Sequence, residues 1–231
     1  MARWLGYSVL SSAAVWLCAG YLALAQDAPA TMTVEEFIDA QGRPIIRLSG
    51  EVVDNSAGFV INHLQRSSAR EIWLDSGGGD VAQAYEMGHY IRANGYRTRI
   101  ISDAMCASAC VDIFMGGILR TADPGARVMI HPGSISNTGG ADLLAHYVEK
   151  NEIKQGVQFI EQVTTASAAE WSDYISFMGI SKKLVEYAAQ VRHDCVIRLN
   201  PYELKYFNLT NTDYNFTPAE APRPRGKDGD C

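Results

Sequence analysis

Short apolar runs alternate with longer amphipathic stretches along the chain after residue 44. The runs have strand length, are rich in Ile, Val and Leu, and follow turn residues such as Pro44 and Gly125. They predict β-strands at residues 45–50, 71–74, 97–102 and 126–130. The run at 71–74 has apolar residues on both faces, which is typical of a parallel strand covered on two sides.

The amphipathic stretches predict helices, and capping signals indicate where several of them begin and end. Asn55 and Ser56 precede a stretch in which Phe59, Val60 and Leu64 share one face. Further helices are predicted at residues 80–93, directly after residue 108, at 142–162, at 169–190 with a break near 179, and within 199–209. This alternation indicates an α/β protein with a mostly parallel sheet.

The first 25 residues differ from the rest of the chain. Arg3 is the only charged residue before Asp27, and residues 4–24 are apolar or small. Ala23-Leu24-Ala25 then fits the small-x-small pattern of a cleavage site. We interpret residues 1–25 as a signal peptide, which predicts a periplasmic or secreted protein. The alternative is an uncleaved anchor helix, because the apolar run is long enough to span a bilayer.

The remainder of the chain has the composition of one globular domain. Of its 231 residues, 47% are hydrophobic and 20% are charged, which is ordinary for a folded soluble domain. We interpret residues 26–40 as an N-terminal linker segment and 41–212 as the α/β domain. Residues 213–231 are rich in Pro, Gly and charge, and they predict a disordered tail.

The charge pattern narrows the possible partners. The formal net charge is -6 at pH 7, and no basic block interrupts the acidic balance, which disfavours nucleic-acid binding. No association with a membrane is expected after signal cleavage, and no cofactor is expected.

Small residues surround Ser108 on both sides. Residues 104–110 read Ala-Met-Cys-Ala-Ser-Ala-Cys, and an apolar, helix-competent run follows. Small neighbours let a carbonyl approach the hydroxyl, and the free N–H groups of a helix start favour negative charge there. The pattern therefore predicts a serine nucleophile at the start of a helix. The alternative is a small-residue helix packed closely within the core.

Two further motifs flank this serine in the sequence. Upstream, an apolar run turns through Gly77-Gly78-Gly79 into a helical pattern, and downstream the strand-like residues 126–130 end on His131. In this order and spacing the three motifs resemble the Clp protease proteolytic subunit (ClpP) and its crotonase-fold relatives, over about residues 45–209. The chain is still more similar to exported bacterial ClpP-like proteins with a Cys-Ala-Ser-Ala-Cys core.

This resemblance implies a fold and a set of roles. The fold would be the ββα spiral of the ClpP and crotonase superfamily. Ser108 would be the nucleophile and His131 its base, while the backbone N–H groups of Gly78 and Ala109 would form the oxyanion hole. Proteins of this fold commonly self-associate, so a homo-oligomer is expected. Gly77 stands where ClpP usually has proline, which predicts a looser turn.

The acid that would orient the histidine is the weakest match to the family pattern. ClpP has an aspartate shortly before a segment that residues 199–209 resemble, and the equivalent position here holds Val196. Asp194 lies two residues earlier and is the best candidate, with Asp173 as a lesser alternative. If no acid orients His131, activity is expected to be low or absent.

Four cysteines remain after signal cleavage, and an oxidising compartment favours pairing among them. We expect Cys195 to be bonded to Cys106 or Cys110, because the role given to Asp194 would bring residue 195 close to the serine. A metal site that also uses His193, and a thiol nucleophile at Cys110, are alternatives with weak support. No metal is expected.

Two classes of function fit these features. The first is an exported serine peptidase of ClpP-like type that acts on a peptide or protein substrate, without an AAA+ chaperone partner, because ATP-driven unfolding belongs to the cytosol. The second is a catalytically silent binding or assembly protein on the same fold. An acyl-CoA enzyme of crotonase type is disfavoured because exported space lacks ready acyl-CoA.

Overall fold

The computed structural model describes residues 31–132, 140–212, 216–217 and 219–223, without the side chains of residues 140 and 141. The signal peptide at 1–25, the first five residues of the linker and most of the tail at 213–231 lie outside the described residues, so these interpretations stay predictions. None of the helices within the described ranges combines the length and hydrophobicity that a bilayer crossing needs.

Strands and helices alternate through the described residues. The strands are β1 (Thr33–Ile38), β2 (Pro44–Val52), β3 (Glu71–Gly79), β4 (Arg97–Ile100), β5 (Met105–Ala107), β6 (Leu119–Ala122), β7 (Arg127–Ile130) and β8 (Ile197–Leu199). The helices are α1 (Ser56–Arg66), α2 (Val81–Ala93), α3 (Ala109–Met115), α4 (Gly140–Glu149), α5 (Ile153–Phe177), α6 (Lys183–Ala188) and α7 (Pro201–Tyr206). The predicted α/β class is confirmed.

The sheet divides along β3. The first three residues of β3 pair with β4, whereas Ser76 near its other end pairs with Cys106 of β5. β4 continues to β6, and β5 continues to β7, with all of these pairs parallel. Antiparallel strands close both ends of the path, β1 on β2 and β8 on β7. The split places the ends of β3, β5 and β7 side by side.

The helices cover this sheet through close contacts. Helices α2 and α3 meet where Gly88 and Gly116 face each other, and a Cβ added at Gly116 would lie 2.6 Å from the Gly88 carbonyl oxygen. The core behind them is apolar and includes Ile72, Leu74 and Phe114, each fully buried. Side chains of any greater size at the two glycines would force α3 away from α2.

The fully buried Arg120 holds the C-terminal part of the chain against the sheet. Its guanidinium donates to the carbonyl oxygens of Gly117, Asn208 and Leu209 at 2.8–2.9 Å. Burial lowers the pKa of Arg120 from 12.5 to about 10. Arg92, on α2, donates to the Met178 carbonyl oxygen at 2.6 Å and ties the end of α5 to the same region.

The structure corrects the predicted boundaries in the first half of the chain. Residues 33–38, interpreted as part of a linker, form β1 because β2 offers them an antiparallel partner. The glycine run predicted as a turn is the end of β3, which stays extended because Gly78 and Gly79 pair with β2. Phe59, expected on the buried face of α1, is 47% exposed. The short strands β5 and β6 were not predicted.

The second half differs in where the long helices break. The sequence predicted breaks near 162–169 and near 179, whereas α4 ends at Glu149 and α5 runs unbroken from Ile153 to Phe177. Asn151 sits between them with a φ of 57°, a left-handed conformation that stops a helix and that asparagine tolerates. The break near residue 179 is confirmed, since Gly179 has a φ of 70°.

Candidate active site

Ser108 lies at the junction of β5 and α3. Its φ of 54° is rare for a residue with a side chain. The Ser108 N–H donates to the Met129 carbonyl oxygen at 3.0 Å, and its own carbonyl accepts from the Val111 N–H at 2.8 Å. Strained backbone of this kind persists only where the surroundings hold it, and it clusters at active sites. The junction holds the half-buried side chain of Ser108 at the point where the strand becomes a helix.

His131 follows the end of β7 and reaches the serine. Its Nε2 lies 2.8 Å from the Ser108 Oγ, and its Nδ1 lies 2.7 Å from the Pro132 carbonyl oxygen. A carbonyl oxygen can only accept, so in the neutral imidazole Nδ1 carries the proton and Nε2 accepts from the serine hydroxyl. This is the tautomer that a general base for the serine needs.

Gly78 lies against the serine from the end of β3. A Cβ added there would lie 2.5 Å from the Ala107 carbonyl oxygen, 2.8 Å from the Ser108 Cβ and 2.9 Å from the Ala109 nitrogen. Gly78 also has a φ of 96°, which glycine adopts without strain. The position therefore requires glycine on two independent grounds.

The two expected oxyanion donors thus lie beside the serine. Ala109 is the first residue of α3, so its N–H has no partner within the helix. The Gly78 N–H donates to the Oγ of the buried Ser76 at 3.1 Å. An oxyanion that used both donors would replace the Ser76 hydroxyl as the acceptor for Gly78.

The structure does not join the expected acids to the histidine. Asp194 is exposed and forms an ion pair with Arg192, and the bonds of His131 go to Ser108 and to the Pro132 carbonyl. Arg192 lies two residues before Asp194, so this local pairing needs no long-range fold. Asp173, the lesser candidate, is an exposed residue of α5.

The predicted disulfide between Cys195 and the serine motif is wrong. Cys106 and Cys110 are bonded to each other, with an S–S distance of 2.03 Å. Cys195 is also disulfide-bonded, and its partner is neither of these two. The prediction failed because it rested on Asp194 lying beside His131, and that contact is not formed.

Cys106 and Cys110 are therefore not free thiols in this structure. Their sulfur atoms are bonded to each other, so the structure supports neither a metal site at these cysteines nor a thiol nucleophile at Cys110. Within the described ranges, no cluster of three or more His, Cys, Asp or Glu side chains is arranged to hold a metal ion.

Asp112 is a buried carboxyl that the sequence reasoning missed. It is 7% exposed on α3, one turn from the serine, and accepts a hydrogen bond of 3.0 Å from the Trp171 indole. Burial raises its pKa from 3.8 to about 7, and the Trp171 bond opposes the shift. A signal was present, because Asp112 is the only charged residue in the apolar run 109–115.

Comparison with known proteins places the chain in a family. A family model described as Clp protease matches residues 32–175, which is well over half of the chain. The match includes Gly78, Ser108 and His131 and ends before Asp194. Comparison with curated proteins finds no match.

Two solved structures are similar to this chain. A ClpP1 point mutant from Listeria monocytogenes is 18% identical with a TM-score of 0.44, over 72% of this chain and 88% of that chain. A point mutant of the 1510-N membrane-bound stomatin-specific protease is 16% identical with a TM-score of 0.47, over 71% of this chain and 75% of that chain.

The divided parallel sheet and the family match together define the class, a mixed α/β protein with a serine protease-type fold. The chain belongs to the Clp protease family. The expected ClpP-like resemblance is confirmed.

Proposed function

We propose that this chain is an exported serine hydrolase of the peptidase type, with Ser108 as nucleophile and His131 as its base. The single observation that carries the proposal is the distance of 2.8 Å between His131 Nε2 and Ser108 Oγ, in the tautomer that accepts the serine proton. A peptide or protein carbonyl is the substrate class, by analogy with the family.

The chemistry follows from the bonds of these two residues. Ser108 Oγ attacks the substrate carbonyl carbon while His131 Nε2 takes the hydroxyl proton. The Nδ1 proton stays on its nitrogen and remains hydrogen-bonded to the Pro132 carbonyl oxygen, which holds the ring in place as it becomes positively charged. The proton that Nε2 took from Ser108 then passes to the leaving amine, and water later releases the acyl group by the reverse sequence.

Two backbone donors would receive the negative charge that develops on the substrate oxygen. Gly78 lies against both Ser108 and Ala109, since a Cβ on Gly78 would approach Ala109 N to 2.9 Å and Ser108 Cβ to 2.8 Å. Preorganised backbone donors are usually the largest single contribution to acyl-transfer catalysis. Their use requires the Gly78 N–H to leave Ser76 Oγ.

The second candidate is a catalytically silent binding or assembly protein. The observation that favours it is the set of bonds that His131 makes with the described residues, which contains a neutral carbonyl but no carboxylate. Without a carboxylate the imidazolium is less stabilised, and replacing the carboxylate of a triad slows such an enzyme by up to roughly 10⁴-fold.

A fluorophosphonate probe separates these two candidates. We expect the full-length chain to be labelled at Ser108, Ser108→Ala to lose all labelling, and His131→Ala to react at least about 100-fold more slowly. His63→Ala is the matched control, because His63 is an exposed histidine bonded to its own helix, and it should react like the wild type. A wild-type chain that stays unlabelled under these conditions would establish the silent alternative.

Export is the second part of the proposal. The Ala23-Leu24-Ala25 motif supports cleavage by a signal peptidase, and the bond between Cys106 and Cys110 suits an oxidising compartment. N-terminal sequencing of the mature protein should begin at Gln26. A mature protein that begins at Met1 would favour the anchor.

Self-association is the third part. Helices α4 and α5 form a hairpin whose apolar side chains Leu144, Val148, Ile153 and Val157 are each 39% exposed or more. Apolar faces of this kind are commonly buried between subunits. We propose that they pack against a second copy of this chain.

A further inference from the structure

The disulfide between Cys106 and Cys110 is centred on the proposed nucleophile. Cys106 belongs to β5, Cys110 belongs to α3, and Ser108 is the residue midway between them. Both cysteines are fully buried, so the bridge lies inside the protein. The bond therefore joins the strand and the helix whose junction sets the direction of the Ser108 side chain.

The bridge restricts the conformations open to this junction. Four extended residues would separate the two Cα atoms by about 13 Å, whereas they lie 5.2 Å apart. One end is anchored, because Cys106 pairs with Ser76 on one side and with Val128 on the other. The start of α3 is thus tied to the middle of the sheet, and Ser108 keeps its φ of 54° in a segment that cannot straighten.

The histidine side of the site has a weaker constraint. His131 is oriented by the Pro132 carbonyl oxygen, which belongs to the next residue and offers no charge. A carboxylate in this position would hold the ring and strengthen its bond to the serine. Here the hydrogen bond of 2.8 Å between His131 and Ser108 depends more heavily on the serine being fixed.

We propose that Cys106 and Cys110 are positioning residues, and that their disulfide holds Ser108 in reach of His131, whose ring no carboxylate among the described residues orients. This inference rests on the proposed hydrolase function. A purely structural bridge would act differently, since short loops give the smallest stabilisation of the fold as a whole. The expected effect is therefore on the reactivity of Ser108 rather than on unfolding.

The test compares the double variant Cys106→Ala/Cys110→Ala with the wild type, both as full-length chains. We expect the second-order rate of fluorophosphonate labelling at Ser108 to fall at least about tenfold at a temperature where circular dichroism shows both folded. With p-nitrophenyl acetate as the probe substrate, kcat should fall while KM stays within about twofold. Cys195→Ala is the matched control, because Cys195 belongs to another bridge, and its labelling rate should stay within about twofold of the wild type.

A double variant that reacts at the wild-type rate would overturn the proposal, as would a loss of labelling that only follows the unfolded fraction. If the double variant does not fold, dithiothreitol treatment of Cys195→Ala, which lacks the other bridge, replaces it. The reagent cyclises to its own disulfide, Cys106 and Cys110 become two thiols, and labelling should fall and then return on reoxidation. Labelling that is unchanged after mass spectrometry confirms both thiols would also overturn it.

A second readout separates this proposal from the hydrolase function. The ¹⁵N NMR signal of His131 Nε2 reports its bond to Ser108 whether or not the chain is active. We expect the double variant to shift this signal toward that of Ser108→Ala, and an unshifted signal would overturn the positioning role. An unlabelled wild type with the shift present would overturn only the hydrolase function.

Discussion

The indole Nε1 of Trp171 donates a hydrogen bond of 3.0 Å to the buried carboxyl of Asp112 and so joins α5 to α3. Tyr174, one turn further along α5, donates to the backbone carbonyl of the same Asp112 at 2.6 Å. Since Ser108 precedes α3 directly, these two bonds help to fix the helix on which the position of the proposed nucleophile depends. The long helix α5 is therefore part of the framework of the site.

The buried carboxyl of Asp112 predicts a pH dependence of stability. Burial raises its pKa from 3.8 to about 7 in the folded chain. The folded chain therefore holds this proton more tightly than the unfolded chain does, so the stabilisation is complete below pH 3.8 and is lost as the pH rises toward 7. The hydrogen bond from Trp171 lowers the pKa of Asp112 and so offsets only part of this loss.

Asp112→Asn keeps an acceptor for Trp171 but does not ionise. The difference in free energy of unfolding between this variant and the wild type should therefore grow in favour of the variant from about pH 4 to about pH 8, by up to about 4 kcal/mol. Urea unfolding at both pH values measures this difference. Asp54→Asn, at an exposed carboxyl, should show no such change, and a constant difference for Asp112→Asn would contradict the prediction.

Gly78→Ala should damage both the site and the fold. The added methyl would lie 2.5 Å from the Ala107 carbonyl oxygen and would need a backbone φ of 96°. We expect a loss of more than about 2 kcal/mol of stability and at least about 100-fold slower labelling of Ser108. The matched control is Gly42→Ala, where φ is 78° but nothing lies within 4 Å of the added methyl. If both variants behave alike, backbone strain alone explains the effect, and the close contact with the serine motif is unimportant.

Asp194→Asn distinguishes the structure from the family pattern. Asp194 pairs with Arg192, so we expect the labelling rate of Ser108 to stay within about threefold of the wild type. A member of a catalytic triad at this position would instead cost roughly 10⁴-fold. A large loss in labelling, measured on a variant with an unchanged melting temperature, would restore Asp194 as the orienting acid.

Charges on the α4–α5 hairpin should weaken self-association. Val148 and Ile153 are each 53% exposed, so burying the exposed half of each side chain between subunits would favour the oligomer by about 0.8–1.5 kcal/mol. We expect Val148→Glu and Ile153→Glu to shift the mass from light scattering toward the monomer. Gln155→Glu places the same charge at an exposed polar position of α5 and should not. A wild-type chain that is already monomeric at micromolar concentration would contradict the proposed interface.

Features set by local chemistry were predictable from the sequence. Asp80 caps α2 by accepting from the Gln83 N–H at 2.9 Å, and Asn200 forms a capping box with Glu203 at the start of α7. Both signals lie within four residues, so a single sequence contains them in full. The strand before His131 was equally clear, because a turn and an apolar run define it.

Features set by distant partners were not predictable. The strand β5 has only three residues, and it exists because Ser76 on one side and Val128 on the other pair with Cys106. The placement of Asp194 was inferred by counting along the chain, whereas in the structure Asp194 forms an ion pair with the nearby Arg192. Pairing choices of this kind depend on which backbone and side-chain groups meet after folding.

The buried Arg120 sets a limit on how the protein can be shortened. Its guanidinium is satisfied by the carbonyls of Asn208 and Leu209, which lie more than thirty residues beyond the end of the family match at residue 175. A chain shortened to the matched region would keep the charged Arg120 side chain but lose most of the carbonyl oxygens that accept its hydrogen bonds. A buried charge without hydrogen-bond partners is strongly destabilising. The smallest autonomous unit of this enzyme-like domain therefore extends at least to residue 209, and expression of anything shorter should give insoluble chains.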